Sequence, residues 1–171
     1  MVVNKLLCHN PLVCARDRTH AERASRARRL ASLTCVLGLV LAGCYWLRYH
    51  DLVETHCGLL EDLSIATLAQ VQASPPRLTP GDVERLRYPL VRAREFLAIS
   101  EKRFAGRQSL LELTALVGVY GELIEAVERM RVGMADGSAV PHLVAEIRAR
   151  AERVREAVRD ERGAGRRTGD E

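Results

Sequence analysis

The sequence predicts an all-α protein, an up-and-down four-helix bundle preceded by an apolar N-terminal segment. Three observations carry that prediction. Four stretches repeat apolar residues at alternating steps of three and four, the pattern of a helix that buries one face. No stretch sustains the period-two alternation of a half-buried strand. Short breaks marked by Pro or Gly separate the stretches, which makes consecutive helices antiparallel neighbours.

Taken in order, residues 1–27 form a polar, Arg-rich leader. From Leu30 to Leu47 the chain carries no charge between Arg29 and Arg48. A bilayer core takes about 20 apolar residues at about 1.5 Å each. Length alone therefore leaves two readings open. One is a retained membrane-spanning helix, with Tyr45, Trp46 and Tyr49 as an interfacial aromatic belt. The other is a cleaved export signal over residues 28–43, built from a cationic start, an apolar core and small residues at its end. Residues 44–49 are then anchor and linker. Lys5, Arg16, Arg18, Arg23, Arg26, Arg28 and Arg29 precede the apolar run against only Asp17 and Glu22, so either reading keeps that end in the cytoplasm and places the following domain outside.

The domain spans residues 50–162. Its first helix, 50–73, has an apolar stripe of Leu52, Val53, Leu59, Leu60, Leu63, Ala66 and Val71, and Pro75-Pro76 ends it. The second, 80–104, starts with Thr79 as N-cap, Pro80 at the first helical position and Asp82 three residues after the cap. Val83, Leu86, Leu90, Ala93, Leu97, Ser100 and Phe104 share its face, and because the stripe keeps register across Pro89 the helix is expected to kink there and continue. The third, 109–134, opens with Ser109-Leu110-Leu111-Glu112, which reads as a capping box. Its stripe of Leu110, Leu113, Val117, Tyr120, Ile124 and Val127, widened by Leu116, Leu123 and Met130, makes it the most buried rod. Gly118 and Gly121 within it suggest a close helix crossing. Asp136-Gly137-Ser138 breaks the chain, and the fourth helix, 139–162, carries a narrow seam of Val140, Val144, Ile147, Ala151, Val154 and Val158. Residues 163–171 read as a disordered tail.

The apolar run ends in Leu41-Ala42-Gly43-Cys44, which resembles the lipobox of bacterial lipoproteins. The resemblance covers about residues 28–44 and is silent on the domain. It implies cleavage between Gly43 and Cys44, lipid on the Cys44 thiol, and a lipid-anchored domain in the periplasm. Tyr45 is not the Asp associated with inner-membrane retention, so the outer membrane is favoured. The leader is longer than such signals carry, which makes residues 1–27 either a mis-assigned start or a cytoplasmic extension.

Composition narrows the function classes. The formal net charge of +4 would suit an anionic partner, but residues 1–43 hold 7 basic and 2 acidic side chains and residues 44–171 hold 19 and 20. The domain is thus nearly neutral, and no nucleic-acid partner is expected. Of the 5 cysteines, only Cys44 and Cys57 follow the signal, and Cys57, with no disulfide partner, is expected to hide in the core as a small hydrophobe. The nearest thing to a metal site is His50, Asp51, Glu54, His56 and Cys57. His50 and Cys57 start roughly 10 Å apart along a helix and His56 points roughly 120° away, so a solvated helix start is expected, with neither metal nor cofactor. No Glu-x-x-His, Cys-x-x-Cys-His, Gly-x-Ser-x-Gly or Gly-rich phosphate loop occurs. His142 stands alone, and Ser109 and Ser138 read as caps. The expectation is a non-enzymatic scaffold or adaptor; a bundle binding a small ligand or metal is the alternative. The narrow 139–162 seam is where self-association or a protein partner is expected.

Overall fold

The structure, a computed structural model, describes residues 11–73 and 78–167, with side chains described over 31–73 and 78–164. Four helices account for these residues: α1 (Pro11–Gln72), α2 (Pro80–Phe104), α3 (Gln108–Arg131) and α4 (Ala139–Arg167). The chain divides into two compact units, Met1–Leu47 and Arg48–Glu171.

In the first unit, the described backbone is the N-terminal part of α1. Residues 11–27 of the leader, the apolar segment and the linker, separate in composition, therefore share one uninterrupted helix. Proline occurs only at its first position, where a missing N–H costs nothing, and its glycines each weaken a helix by only about 1 kcal/mol. Leu33, Val36, Leu37, Leu39, Val40, Leu41 and Leu47 are all 55–74% exposed.

The second unit is a four-helix bundle with antiparallel sequential neighbours. At one end Tyr49 of α1 stacks on Phe104 of α2 with ring centroids 4.0 Å apart, its hydroxyl meets Ser109 of α3, and His50 meets Glu161 of α4. Toward the other end Arg87 of α2 pairs with Glu128 of α3 at 2.7 Å. α2 and α3 keep the predicted stripes, with Leu113, Leu116, Tyr120, Leu123 and Val127 at zero exposure. α2 runs unbroken through the buried Pro89. The whole α4 seam, from Val140 to Val158, is buried inside this unit.

The α1 stripe differs from the expected one. Leu52, Leu59 and Ala66 are exposed; Tyr49 is buried, and from His50 on the buried positions are His50, Val53, Cys57, Leu60, Ser64 and Thr67, in strict steps of three and four. Its two hydroxyl residues reach core positions because they satisfy themselves locally. Ser64 Oγ donates to the Glu61 carbonyl and Thr67 Oγ1 to the Leu63 carbonyl, both at 2.7 Å.

Caps and breaks set the remaining boundaries. Thr79 and Asp82 form the predicted capping box. α3 starts one residue early and stops at Arg131, three residues short of the predicted 134. Gly133, at φ +74°, donates to the Met130 carbonyl, and Met134 donates back to Arg129 at 2.8 Å, closing a Schellman motif that consumes the last carbonyls. Gly137, at φ +78°, sits in the left-handed region that favours glycine, and a Cβ there would lie 2.7 Å from Met130 Sδ, so the Met130 side chain would have to shift. A Cβ at Gly118 would meet nothing within 4 Å and one at Gly121 only the tip of Arg94, so these glycines mark no close crossing. Residues 163–167 continue α4; a helix already held by packing extends at little cost, and the rest of the expected tail lies outside the described residues.

Candidate functional site

The densest polar cluster among the described residues lies at the end of the bundle where the second unit begins. Tyr49 and His50 enter it from α1, Ser109 from the second helical position of α3, and Glu161 from the C-terminal part of α4. The Glu161 carboxylate is the hub. Its Oε1 accepts the Ser109 backbone N–H at 3.0 Å, and its Oε2 accepts the Ser109 hydroxyl at 2.9 Å and His50 Nε2–H at 3.0 Å. With the Ser109 proton directed at Glu161, the Tyr49 hydroxyl donates to Ser109 Oγ at 3.0 Å. His50 and Ser109 are fully buried. Burial raises the Tyr49 hydroxyl above its ordinary value, partly offset by its bond to Ser109.

This arrangement replaces the capping box expected at Ser109-x-x-Glu112. The α3 N-cap is Arg107, which caps with no side chain, and Glu112 instead receives Gln108 Nε2 at 3.0 Å. The amide that a local Glu would have served is served by a carboxylate 52 residues away. Negative charge there also meets the positive end of the α3 dipole.

Beside the hub runs a ladder of ion pairs. Arg148, Arg155 and Arg162 recur every seventh residue and face the α1 side: Arg155 binds Glu61, Arg148 reaches Glu61 at 3.9 Å, and Arg162 reaches Asp51 at 2.8 Å and Glu54 at 3.4 Å. Glu61 raises the Arg155 guanidinium further above its usual range. A shallow open groove between α1 and α4, lined by Glu61, Ala145, Arg148, Ala149 and Glu152, takes in the Glu61–Arg148 pair.

The sequence-derived candidates are not brought together. His50 is a core residue bonded to Glu161, which corrects the expected solvated helix start; it occupies a seam position, and Glu161 satisfies its Nε2. Glu54 faces Arg162. His56 packs on Phe96 at 5.0 Å between ring centroids, and burial together with nearby Arg92 holds its pKa below the ordinary value. Cys57 is fully exposed to the core, 0% to solvent, and contacts the Ala151 carbonyl at 3.6 Å; burial pushes its thiol up to about 11. Cys44 is exposed. Among the described residues, no three His, Cys, Asp or Glu side chains converge on a point where a metal could sit.

Chemically, the cluster is a lock rather than a relay. Ser109 bonds directly to the Glu161 carboxylate with no imidazole between, and is sealed from solvent. Sequence reasoning missed Tyr49, Ser109 as a hub contact, and Glu161. The signal for His50 was present in the spacing of His50, Val53, Cys57 and Leu60, whereas nothing local marks Glu161. No protein-family model matches the chain, and comparison with curated proteins and with solved structures finds no match either.

Proposed function

We propose that this chain is a lipoprotein of the bacterial cell envelope, exported through residues 28–43, cut before Cys44 and held by lipid on that thiol, with its helical bundle acting outside the cytoplasm as a non-enzymatic scaffold or adaptor. The observation that carries the reading is the exposed apolar surface of residues 31–47. The most apolar window of this helix has 0% of its residues buried, while the second unit closes a core without it. Apolar area costs about 25 cal/mol per Å² in water, so a helix apolar all round calls for lipid or for removal, and Leu41-Ala42-Gly43-Cys44 supplies the point of removal. The scaffold role is supported by helix faces rich in Arg and Glu around a closed apolar core.

A retained single span is the second reading, favoured by α1 running helical through Gly43 and Cys44 without a break. The test is the intact mass of the chain purified from a bacterial membrane, native and Cys44→Ala. A native mass lacking residues 1–43 and carrying acyl groups, both lost in the variant, is the expected result. A full-length, unacylated native chain with an unchanged variant would replace the lipoprotein reading with the retained span.

A further inference from the structure

The outward face of α2 carries an exposed set of side chains with two-fold self-complementarity. Tyr88 is 65% exposed and Ile99 62%, with Val91 beside them at 51%. At about 100° per residue, Tyr88, Arg92, Glu95 and Ile99 fall within an arc of about 60°, on the side opposite the buried Val83, Leu86, Leu90 and Ala93. The α4 seam, by contrast, is consumed inside the bundle.

In two antiparallel helices, residues whose numbers share one total lie level. The total that sets Tyr88 against the partner's Ile99 also sets Arg92 against the partner's Glu95, and the dyad repeats both contacts. The centre of the pairing then falls between Arg92 and Glu95, with two charge pairs flanked by two apolar contacts. A parallel pairing would face Arg92 with Arg and Glu95 with Glu. An antiparallel pairing one turn out of register would set Tyr88 against Glu95 or Arg92 against Ile99. Leu52 of α1, 38% exposed, lies about level with Ile99, given that Tyr49 meets Phe104 and His56 meets Phe96. Within one chain, Arg92 Nη1 donates to Glu95 at 3.2 Å, and its guanidinium stands over the Tyr88 ring at 5.9 Å. The charges are thus held on the face that a second copy would meet.

We propose that this face of α2 docks a second copy of the chain in antiparallel, two-fold fashion. The apolar contacts supply the attraction and the paired charges the register. The proposal is independent of how the chain is anchored, since every residue it uses lies in the second unit.

The test is sedimentation equilibrium of the full chain in density-matched detergent, with circular dichroism confirming that each variant keeps the native helix content. A monomer–dimer equilibrium is expected. Arg92→Glu and Glu95→Arg each place like charges in register and should weaken dimerisation by about tenfold or more, while the double swap restores it. Ile99→Ser should weaken it as well. A native chain that stays monomeric, association indifferent to the single reversals, or a double swap no better than the singles would overturn the proposal.

Discussion

Along α1 one helical backbone carries side chains into two environments. From residue 31 to 47 the leucines and valines are exposed on every side. From Tyr49 onward burial is confined to one seam, and outside that seam even Leu52 and Leu59 stay in solvent. The difference teaches that apolarity alone does not bury a residue. A helix apolar all round has no face for the bundle to select, whereas the two-sided half has one face whose phase decides membership, so His50, Cys57, Ser64 and Thr67 are inside and two leucines are outside.

The sharpest way to break the comparison is to make the same deletion in both halves. Leu60→Ala should cost the bundle about 3 kcal/mol, because Leu60 is fully buried and the space cannot collapse completely. Leu39→Ala should leave the bundle's urea midpoint, followed by circular dichroism in detergent, where it was. Equal losses would mean that the apolar half is part of the core.

A smaller effect is expected at the hub. Glu161→Gln supplies one acceptor oxygen and an amide in place of a carboxylate that accepts three bonds, so at least one of the Ser109 and His50 donors loses its partner. Urea unfolding should show a loss of about 1 to 2 kcal/mol. A variant as stable as the native chain would mean that the cluster contributes nothing to closing that end.

The smallest effect concerns His56. Its folded pKa is held below 6.5 by burial and then by Arg92, so the unfolded chain binds more protons as pH falls through 6.5. This contribution is therefore complete above about 6.5 and lost below it, down through the depressed folded value. The urea midpoint should fall between pH 7.5 and pH 5, and His56→Gln should reduce that fall. An unchanged pH dependence in the variant would assign the acid sensitivity elsewhere.

Much of the fold was legible in local signals. The Thr79 and Asp82 capping box, the stripes of α2 and α3, the α4 seam, the burial of Cys57 and the break at Asp136-Gly137-Ser138 all rest on spacing or on turn chemistry within a few residues. The hub was not legible. Ser109 and Glu112 satisfy the capping-box pattern, but the helix starts one residue earlier, Gln108 takes the Glu112 carboxylate, and the Ser109 amide goes to a carboxylate on another helix.

By itself the sequence determined that the chain is helical, where the bundle helices break, and that one segment is apolar all round. Propensity, capping and periodicity act over one or two turns, and their evidence lies in neighbouring residues. Only the tertiary structure decided that Glu161 closes α3, that His50 lies in the core, and that Leu52 and Leu59 do not. His50 and Glu161 are 111 positions apart, and what joins them is the packing of α1 against α4, where the Glu161 carboxylate gives a buried imidazole N–H an acceptor that no neighbouring residue in the sequence announces.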